Sequence, residues 1–395
     1  MKKSLIALGL GGLGIGTTEF VMMGLLPDIA KDFDISIPVA GHLISSYALG
    51  VVIGAPILVA SAANFEPKKI LMALMAVFTV FNAFSAFAPD NTTLLITRLL
   101  SGLPHGAFFG VASVVASRLA DKGKEAQAIS VVLGGLTIAN LLTVPIGTYI
   151  GHHYSWRYTF ALIAIIGLIT LVAIRFWLPA LPVKRSGDIK SELSFFKKKE
   201  AWMILGITAI GTGGLFAWIS YIAPLMTEVG GFAADTVPYI MVLAGLGMVV
   251  GNIFGGKLAD KISPIKACLI LLLCMASALL IIFFTAEIKA ISLIMTFIAG
   301  GLSLAVGAPI QILMIKTARE AEMLGAAATQ AAFNVGNALG AFFGGIPIAL
   351  GYGYTSPEIV GVVMALIGVA MAFTLMKQNN KEATILSEKK EYLVN

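Results

Sequence analysis

The chain has 395 residues, of which 58% are hydrophobic and only 12% charged, with a mean hydropathy of +0.93. Soluble domains carry about 25% charged residues, so this composition excludes a water-soluble globular protein. The formal net charge of +6 does not predict a nucleic-acid partner, because most basic residues fall in short segments between apolar runs.

Twelve apolar runs have the length of a membrane-crossing helix, which needs about 20 residues. They lack the alternation of a transmembrane β-barrel, and the first run contains Glu19 and no signal-peptide cleavage pattern. We therefore predict an all-α membrane protein of twelve transmembrane helices. The spans are 4–26, 39–63, 70–88, 93–117, 127–150, 158–178, 201–224, 237–256, 267–285, 291–315, 324–350 and 358–376.

The chain repeats itself in two tandem halves. Segment 60–64, before a Pro-Lys-Lys loop, resembles segment 256–260 at an offset of 196, and segment 118–120 resembles 316–318 at an offset of 198. The predicted domains are an N-terminal six-helix half (1–178), a central loop (179–200), a C-terminal six-helix half (201–376) and a tail (377–395). Parallel repeats of this kind place a substrate site between the halves.

The distribution of basic residues predicts the orientation. With the N-terminus inside, the segments on the outer side hold only Lys31, Arg157 and Lys289. Both termini and the central loop are therefore predicted to be cytoplasmic. We expect a multi-pass protein of the cytoplasmic (inner) membrane.

Two charged residues lie well inside predicted spans, Glu19 in the first and Arg98 in the fourth. A charge at the bilayer centre costs about 2.5–3.5 kcal/mol on insertion scales, so each requires a reason. Their depths match, which allows an ion pair across a central cavity. One interpretation is proton coupling, with Glu19 loading and releasing a proton; the other is a static pair that fixes helix packing. His105, seven residues after Arg98 on nearly the same helix face, is a second titratable candidate or a hydrogen bond between helices.

Further polar and aromatic residues are candidates for a substrate cavity. Amides within spans either line a polar path or join helices by hydrogen bonds. His42 lies near the outer end of its span, where interfacial packing is the alternative. The candidates are His42, Tyr47, Asn140, Phe216, Trp218, Tyr221, Asn252, Gln311, Asn334 and Asn337.

We find no motif of an enzyme active site in this sequence. There is no metal-spaced cluster of His, Cys, Asp and Glu, and the glycine-rich string at 9–14 lies inside a span rather than after a strand. Cys268 and Cys274 share one apolar run and are predicted to be ordinary thiols. We expect no cofactor, no metal and no enzymatic activity.

Several motifs resemble the major facilitator superfamily, and the resemblance covers nearly the whole chain. Gly256-x-Leu-Ala-Asp260-Lys261 is similar to its cytoplasmic loop signature, which implies control of conformation. Arg98-x-x-Ser-Gly and Thr18-Glu19-Phe, followed by Gly-Leu-Leu-Pro, resemble motifs of the drug:proton antiporter branch. A partial match to the antiporter motif of the fifth span consists of Pro145, Gly147 and Gly151, with Val144 where a glycine usually precedes the proline. From the residues alone, this proline and these glycines form either a hinge or a closely packed helix surface.

Within that branch, several stretches resemble the AraJ-type efflux transporters. They include the segments 42–50, 102–110 and 155–160. The resemblance implies proton-coupled efflux, by antiport and alternating access, of a small organic solute such as a sugar or a drug-like compound. An uptake permease of the same fold, either a proton symporter or a uniporter, is the alternative. The expected partners are the lipid bilayer, the small-molecule substrate and protons, and the chain is expected to act as a monomer.

Overall fold

The computed structural model of the protein describes residues 3–62, 65–121, 125–182, 194–318 and 322–394. Within these ranges every regular element is helical. Twelve helices are long and apolar enough to cross a membrane. The prediction of twelve helical spans is therefore confirmed.

The first six spans are mostly continuous helices. The fifth, α5, is interrupted by a turn of π-helix, so that Glu125–Ile138 is followed by Ala139–Thr143 in π geometry and then by Val144–His153. The others are α1 Lys3–Asp32, α2 Ile37–Ala62, α3 Pro67–Ala86, α4 Asn91–Leu119 and α6 Trp156–Trp177.

The second six spans are more irregular. The seventh, α7, combines Lys199–Gly206, a π turn at Ile207–Gly211, Gly213–Ser220, Ile222–Pro224 and a second π turn at Leu225–Val229. The others are α8 Val237–Ile262, α9 Pro264–Thr285, α10 (Lys289–Ala305 followed by Gly307–Thr317), α11 Glu322–Ala349 and α12 Ser356–Val394. Short 3-10 turns lie at Ser194–Lys197 and Ala234–Thr236.

The helices extend past the apolar runs from which they were predicted. α1 continues to Asp32, six residues beyond the predicted end, and α12 continues through the predicted tail to Val394. A helix does not have to end at the edge of the hydrocarbon core of the membrane. Its backbone N–H and C=O groups bond to each other within the helix, in water as well as in lipid. The central loop at 179–200 stays a prediction, because 183–193 lie outside the described residues.

An even number of spans places both termini on one side of the bundle. We call this side the terminal face and the opposite side the distal face. Two helices that begin at the distal face are capped by side chains: Asp90 accepts a hydrogen bond from the Thr93 amide at 2.8 Å, and Ser155 accepts one from the Arg157 amide at 3.3 Å. Capping satisfies backbone N–H groups that have no partner within the helix, so both helix starts are well defined.

Glycines allow equivalent helix pairs to approach closely in both halves. A Cβ added to Gly54 of α2 would overlap the carbonyl of Leu103 in α4, and one added to Gly251 of α8 would overlap the carbonyl of Gly301 in α10. The two contacts are related by nearly the offset at which the sequence repeats. Small residues at helix interfaces permit such backbone contact in membranes.

The two halves meet on the distal side and at mid-depth. The Ser45 hydroxyl donates to the carbonyl of Ala338 at 3.1 Å, which joins α2 to α11. Gly245 of α8 packs directly against the backbone of Asn140 in the π turn of α5. These contacts close the bundle toward the distal face.

Candidate functional site

Arg98 is fully buried at the centre of the first half. Its Nη1 donates to the carbonyl oxygen of Thr18 at 3.0 Å and to the Thr18 hydroxyl at 2.9 Å, and its Nε lies 3.5 Å from the carbonyl of Leu43. The guanidinium also lies 4.3 Å from the ring centroid of Tyr47 and 5.9 Å from that of Phe160. Aromatic faces and carbonyl oxygens thus replace the water that the cation would otherwise need.

Asn82 of α3 orients the Thr18 hydroxyl that contacts Arg98. The Thr18 hydroxyl donates to Asn82 Oδ1 at 2.7 Å, and Asn82 Nδ2 donates to the carbonyl of Phe78 at 2.8 Å. Because its proton is committed to Asn82, the Thr18 oxygen is left to accept from Arg98. Thr18 of α1 and Asn82 of α3 therefore help the residues of α2 to hold the guanidinium in one position.

Glu19, the next residue after Thr18, is buried with 4% exposure. Its carboxyl group is near enough to Arg98 for charge interaction, and the side chain of Asn337 from α11 faces it. None of the ion pairs among the described residues joins Glu19 to Arg98, so the direct ion pair that the sequence allowed is not formed in this conformation. Glu19 instead lies where the two halves meet.

His105 of α4 contacts the first half through one ring nitrogen and the second half through the other. Its Nδ1 lies 3.0 Å from the Tyr47 hydroxyl and its Nε2 lies 3.3 Å from Nε2 of Gln330 in α11. With the Gln330 amide donating to Nε2, Nδ1 carries the proton and donates to Tyr47. This arrangement suits a neutral imidazole and supports the interpretation of His105 as a hydrogen bond between helices.

Three amides of α11 lie on one helix face toward the first half. Gln330, Asn334 and Asn337 are separated by four and three residues, the spacing that aligns side chains along a helix. Asn334 Nδ2 donates to the carbonyl of Gln330 at 3.1 Å. Within the described residues, Asn334 Oδ1, both polar atoms of Asn337 and Nη2 of Arg98 are buried without a hydrogen-bond partner of ordinary geometry.

Three aromatic candidates for the cavity, Phe216, Trp218 and Tyr221, belong to α7. Phe216 and Trp218 are buried among the helices of the second half, and Trp218 Nε1 has no hydrogen-bond partner in the described part of the chain. The Tyr221 hydroxyl donates to the carbonyl of Ala341 at 2.7 Å, and its ring packs beside Gly41 of α2. Tyr221 thus contributes to closure of the distal side.

The other predicted cavity amides occupy different environments. Asn140 is buried and donates to the carbonyl of Leu136 in its own helix at 3.1 Å. Asn252 is exposed on the same face of α8 as Gly245, two turns nearer the terminal face, and Gln311 is half-buried in α10. These three do not join the cluster around Arg98.

His42 does not lie in the interior. Its side chain is exposed near the distal end of α2 and stacks on Phe342 of α11, with ring centroids 5.9 Å apart. The structure therefore favours the interfacial packing that was its alternative interpretation.

Gly147 and Gly151 of α5 pack closely against neighbouring helices, and Pro145 is buried. A Cβ on Gly147 would lie 2.9 Å from side-chain carbons of both Thr159 and Val21, and one on Gly151 would overlap Leu25. Pro145 is the second residue after the π turn Ala139–Thr143. A π turn carries an extra residue and is frequent at functional positions, so the local irregularity of α5 begins before the proline.

The loop motif lies at the terminal end of α8. Gly256 is half-buried, whereas Asp260 and Lys261 are exposed. None of the ion pairs in the described ranges involves Asp260. Among the residues that the structure describes, Asp260 therefore makes no ion pair with a neighbouring helix end.

Several residues of the site were not predicted. Gln330 and Asn82 are polar residues within spans, and the spacing of Gln330 to Asn334 and Asn337 is the signal that could have found it. Glu358, in the first turn of α12, is buried like Glu19, and it was not predicted because it lies at the very start of a predicted span. Among the described residues, no group of three or more His, Cys, Asp or Glu is arranged to hold a metal ion.

Comparisons with known proteins agree with this architecture. Residues 8–330 match the family model described as Major Facilitator Superfamily. The chain is 40% identical over 376 residues to "Putative transporter AraJ" of Escherichia coli strain K12, covering 95% of each protein. It is 39% identical over 383 residues to "Inner membrane transport protein YdhP" of Escherichia coli O157:H7, covering 96% of this chain and 97% of that protein.

Among solved structures, the fold resembles that of a bacterial homologue of the human lysosomal transporter Spinster, in an inward-facing and unoccupied conformation. The TM-score is 0.74 at 16% identity, covering 95% of this chain and 96% of that one. Together with the twelve spans, the relatives make this chain a multi-pass transporter of the inner membrane and not an enzyme. The chain belongs to the Major Facilitator Superfamily.

Proposed function

We propose that this protein is a proton-coupled exporter that exchanges protons for a small organic solute by alternating access. The observation that carries the proposal is the position of Glu19. It is a buried carboxyl group between the two halves, coupled to a fixed cation on its own side and facing Asn337 of the other half.

Glu19 is the proposed proton carrier. Arg98 keeps its charge throughout and is held by Thr18, Leu43 and two aromatic rings, so it provides a constant field beside Glu19. Protonation of Glu19 removes a negative charge from the interface between the halves. This change alters the interaction with Asn337 and thereby biases the equilibrium between the two orientations of the halves.

The proposed solute binds against the buried polar atoms that lack partners. Arg98 Nη2 offers a donor, Asn334 Oδ1 an acceptor, and Asn337 both. Buried polar groups without partners are uncommon in folded proteins, and binding of a ligand is one reason for their persistence. A solute with hydroxyl or carbonyl groups, such as a sugar or a polar drug-like compound, has the complementary chemistry.

Closure of the distal side fits the loading step of an exporter. If the termini are cytoplasmic, as the basic residues predict, the distal face is the external face and this conformation is inward-facing. The solute then enters from the cytoplasm. The resemblance of the fifth span to the antiporter motif supports export over uptake.

The test uses everted membrane vesicles, loaded with a pH-sensitive dye and energised by respiration. Sugars, sugar alcohols and amphipathic cations are added to vesicles that contain wild-type protein, Glu19→Gln or no transporter. We expect one class of compound to release protons only with wild-type protein, because glutamine keeps the shape of Glu19 without its titratable group.

Each other outcome contradicts a definite part of the proposal. Equal signals from wild type and Glu19→Gln remove Glu19 as the carrier. Solute-driven proton movement in the opposite direction indicates the alternative, an uptake symporter. Solute transport without any proton movement indicates a uniporter.

A further inference from the structure

A histidine joins the two halves at the distal face. Nδ1 of His152, at the end of α5, lies 3.0 Å from Oδ1 of Asp28 in α1. Its Nε2 lies 3.1 Å from Oδ1 of Asp235, in the turn Ala234–Thr236 before α8. Asp28 and His152 belong to the first half and Asp235 belongs to the second.

Whether both of these contacts are favourable depends on how many protons the His152 ring carries. An ionised carboxylate only accepts hydrogen bonds, so each of the two ring nitrogens must carry a proton for both contacts to be favourable. A neutral imidazole carries a single N–H and would turn the lone pair of its other nitrogen toward a carboxylate oxygen. With Asp28 and Asp235 both ionised, the geometry therefore matches a protonated His152 between two carboxylates.

Other charged and titratable groups surround the contact. His153 Nε2 lies 3.9 Å from Asp235 Oδ1, and the His153 ring stacks on Tyr149 with centroids 4.0 Å apart. Lys31 of α1 contributes a positive charge near Asp28. His152 is the group of this cluster that contacts carboxylates of both halves at hydrogen-bond distance.

We propose that His152, with Asp28 and Asp235, forms a pH-sensitive latch that holds the distal sides of the two halves together while the imidazole is protonated. Loss of the proton turns one attractive contact into a repulsive one. The contact most easily lost is that with Asp235, whose side chain is 73% exposed, against 22% for Asp28. This latch senses pH on the distal side and is separate from the proposed carrier Glu19.

The test measures distal closure in purified protein without solute or proton gradient, so its result does not depend on the proposed transport. Spin labels replace Phe87, in the loop after α3, and Glu287, in the loop after α9, after Cys268→Ala and Cys274→Ser have removed the native thiols. Both label sites are exposed at the distal face, one in each half. Double electron–electron resonance then gives the ratio of closed to open protein at each pH.

We expect this ratio to fall about threefold between pH 5.5 and pH 8, since the latch needs a proton on each ring nitrogen of His152 and partly exposed ion pairs are weak. His152→Gln is expected to abolish the dependence, whereas His153→Gln is expected to retain it. Asp235→Asn, which preserves shape, is expected to weaken the dependence and provides a second variant if His152→Gln does not fold. A flat wild-type profile, or an unchanged profile in His152→Gln or Asp235→Asn, would overturn the latch.

Discussion

Arg98 holds Thr18 by two hydrogen bonds from one nitrogen, at 3.0 Å to its carbonyl oxygen and 2.9 Å to its hydroxyl. Since Thr18 directly precedes Glu19, the cation is attached to the backbone beside the carboxyl group that we propose to carry protons. A change in the charge of Glu19 therefore acts on a rigid neighbour. This rigidity is maintained from α3, where Asn82 takes the hydroxyl proton of Thr18.

Thr18→Val is expected to lower stability by about 1–2 kcal/mol, because it leaves a buried guanidinium N–H and the Asn82 oxygen with one partner fewer. Thermal unfolding of the purified protein in detergent measures the effect. Thr170→Val is the matched control, since that buried hydroxyl donates only to the carbonyl of Ile166 in its own helix. Equal effects of the two substitutions would contradict the special role of Thr18.

Arg98→Lys keeps the charge and removes the planar guanidinium. An ammonium group cannot reproduce the paired contacts with Thr18 and Leu43 together with stacking on Tyr47. We expect proton-coupled transport in vesicles to fall at least about tenfold, corresponding to roughly 1.4 kcal/mol, while the protein still accumulates in the membrane. Arg157→Lys, at the distal surface beside Asp32, is the control and should leave transport near wild-type level. Full transport by Arg98→Lys would show that charge alone is sufficient.

Gly251→Val is expected to prevent correct packing of α8 against α10, because the added carbon overlaps the carbonyl of Gly301. A displacement of this kind costs about 1–3 kcal/mol or more in a well-packed interior. Gly134→Val is the control, since a Cβ there meets no atom of another helix within 4 Å. The yield of monodisperse protein on size-exclusion chromatography distinguishes the two, and a normal yield of Gly251→Val would contradict the close approach.

The predicted orientation is tested at both faces. A green fluorescent protein fused after residue 395 should fluoresce, because that domain matures in the cytoplasm and the basic residues place the C-terminus there. A cysteine at Phe87 should react with an impermeant maleimide added to spheroplasts, since this residue is 81% exposed at the distal face. A dark fusion together with a protected cysteine would reverse the orientation.

The sequence was sufficient to predict the twelve spans and the two charged residues at their centre. The length of the apolar runs predicts the spans. Glu19 and Arg98 are recognisable within them because placing a charge in the lipid costs free energy. The partners of Arg98 were not predictable, since a carbonyl oxygen belongs to every residue and nothing in the sequence marks those of Thr18 and Leu43.

Contacts between distant segments were also missed. His152 lies 83 residues from Asp235, and only the packing of the two halves brings them together. For His42 the sequence left a cavity position and interfacial packing open, and the structure places its side chain at the surface beside Phe342. The helix surface a side chain occupies depends on the tilt and rotation of its helix, which residue type alone does not determine.

The most direct test of the central claim is solute accumulation in proteoliposomes under an imposed pH gradient. The solute is a compound that released protons from everted vesicles with wild-type protein. Antiport predicts that wild-type protein concentrates the solute on the acidic side of the membrane, whichever way the protein is inserted. Glu19→Gln is predicted to allow exchange of labelled for unlabelled solute but no accumulation. Accumulation on the alkaline side, or gradient-driven accumulation by Glu19→Gln, would contradict proton antiport through this residue.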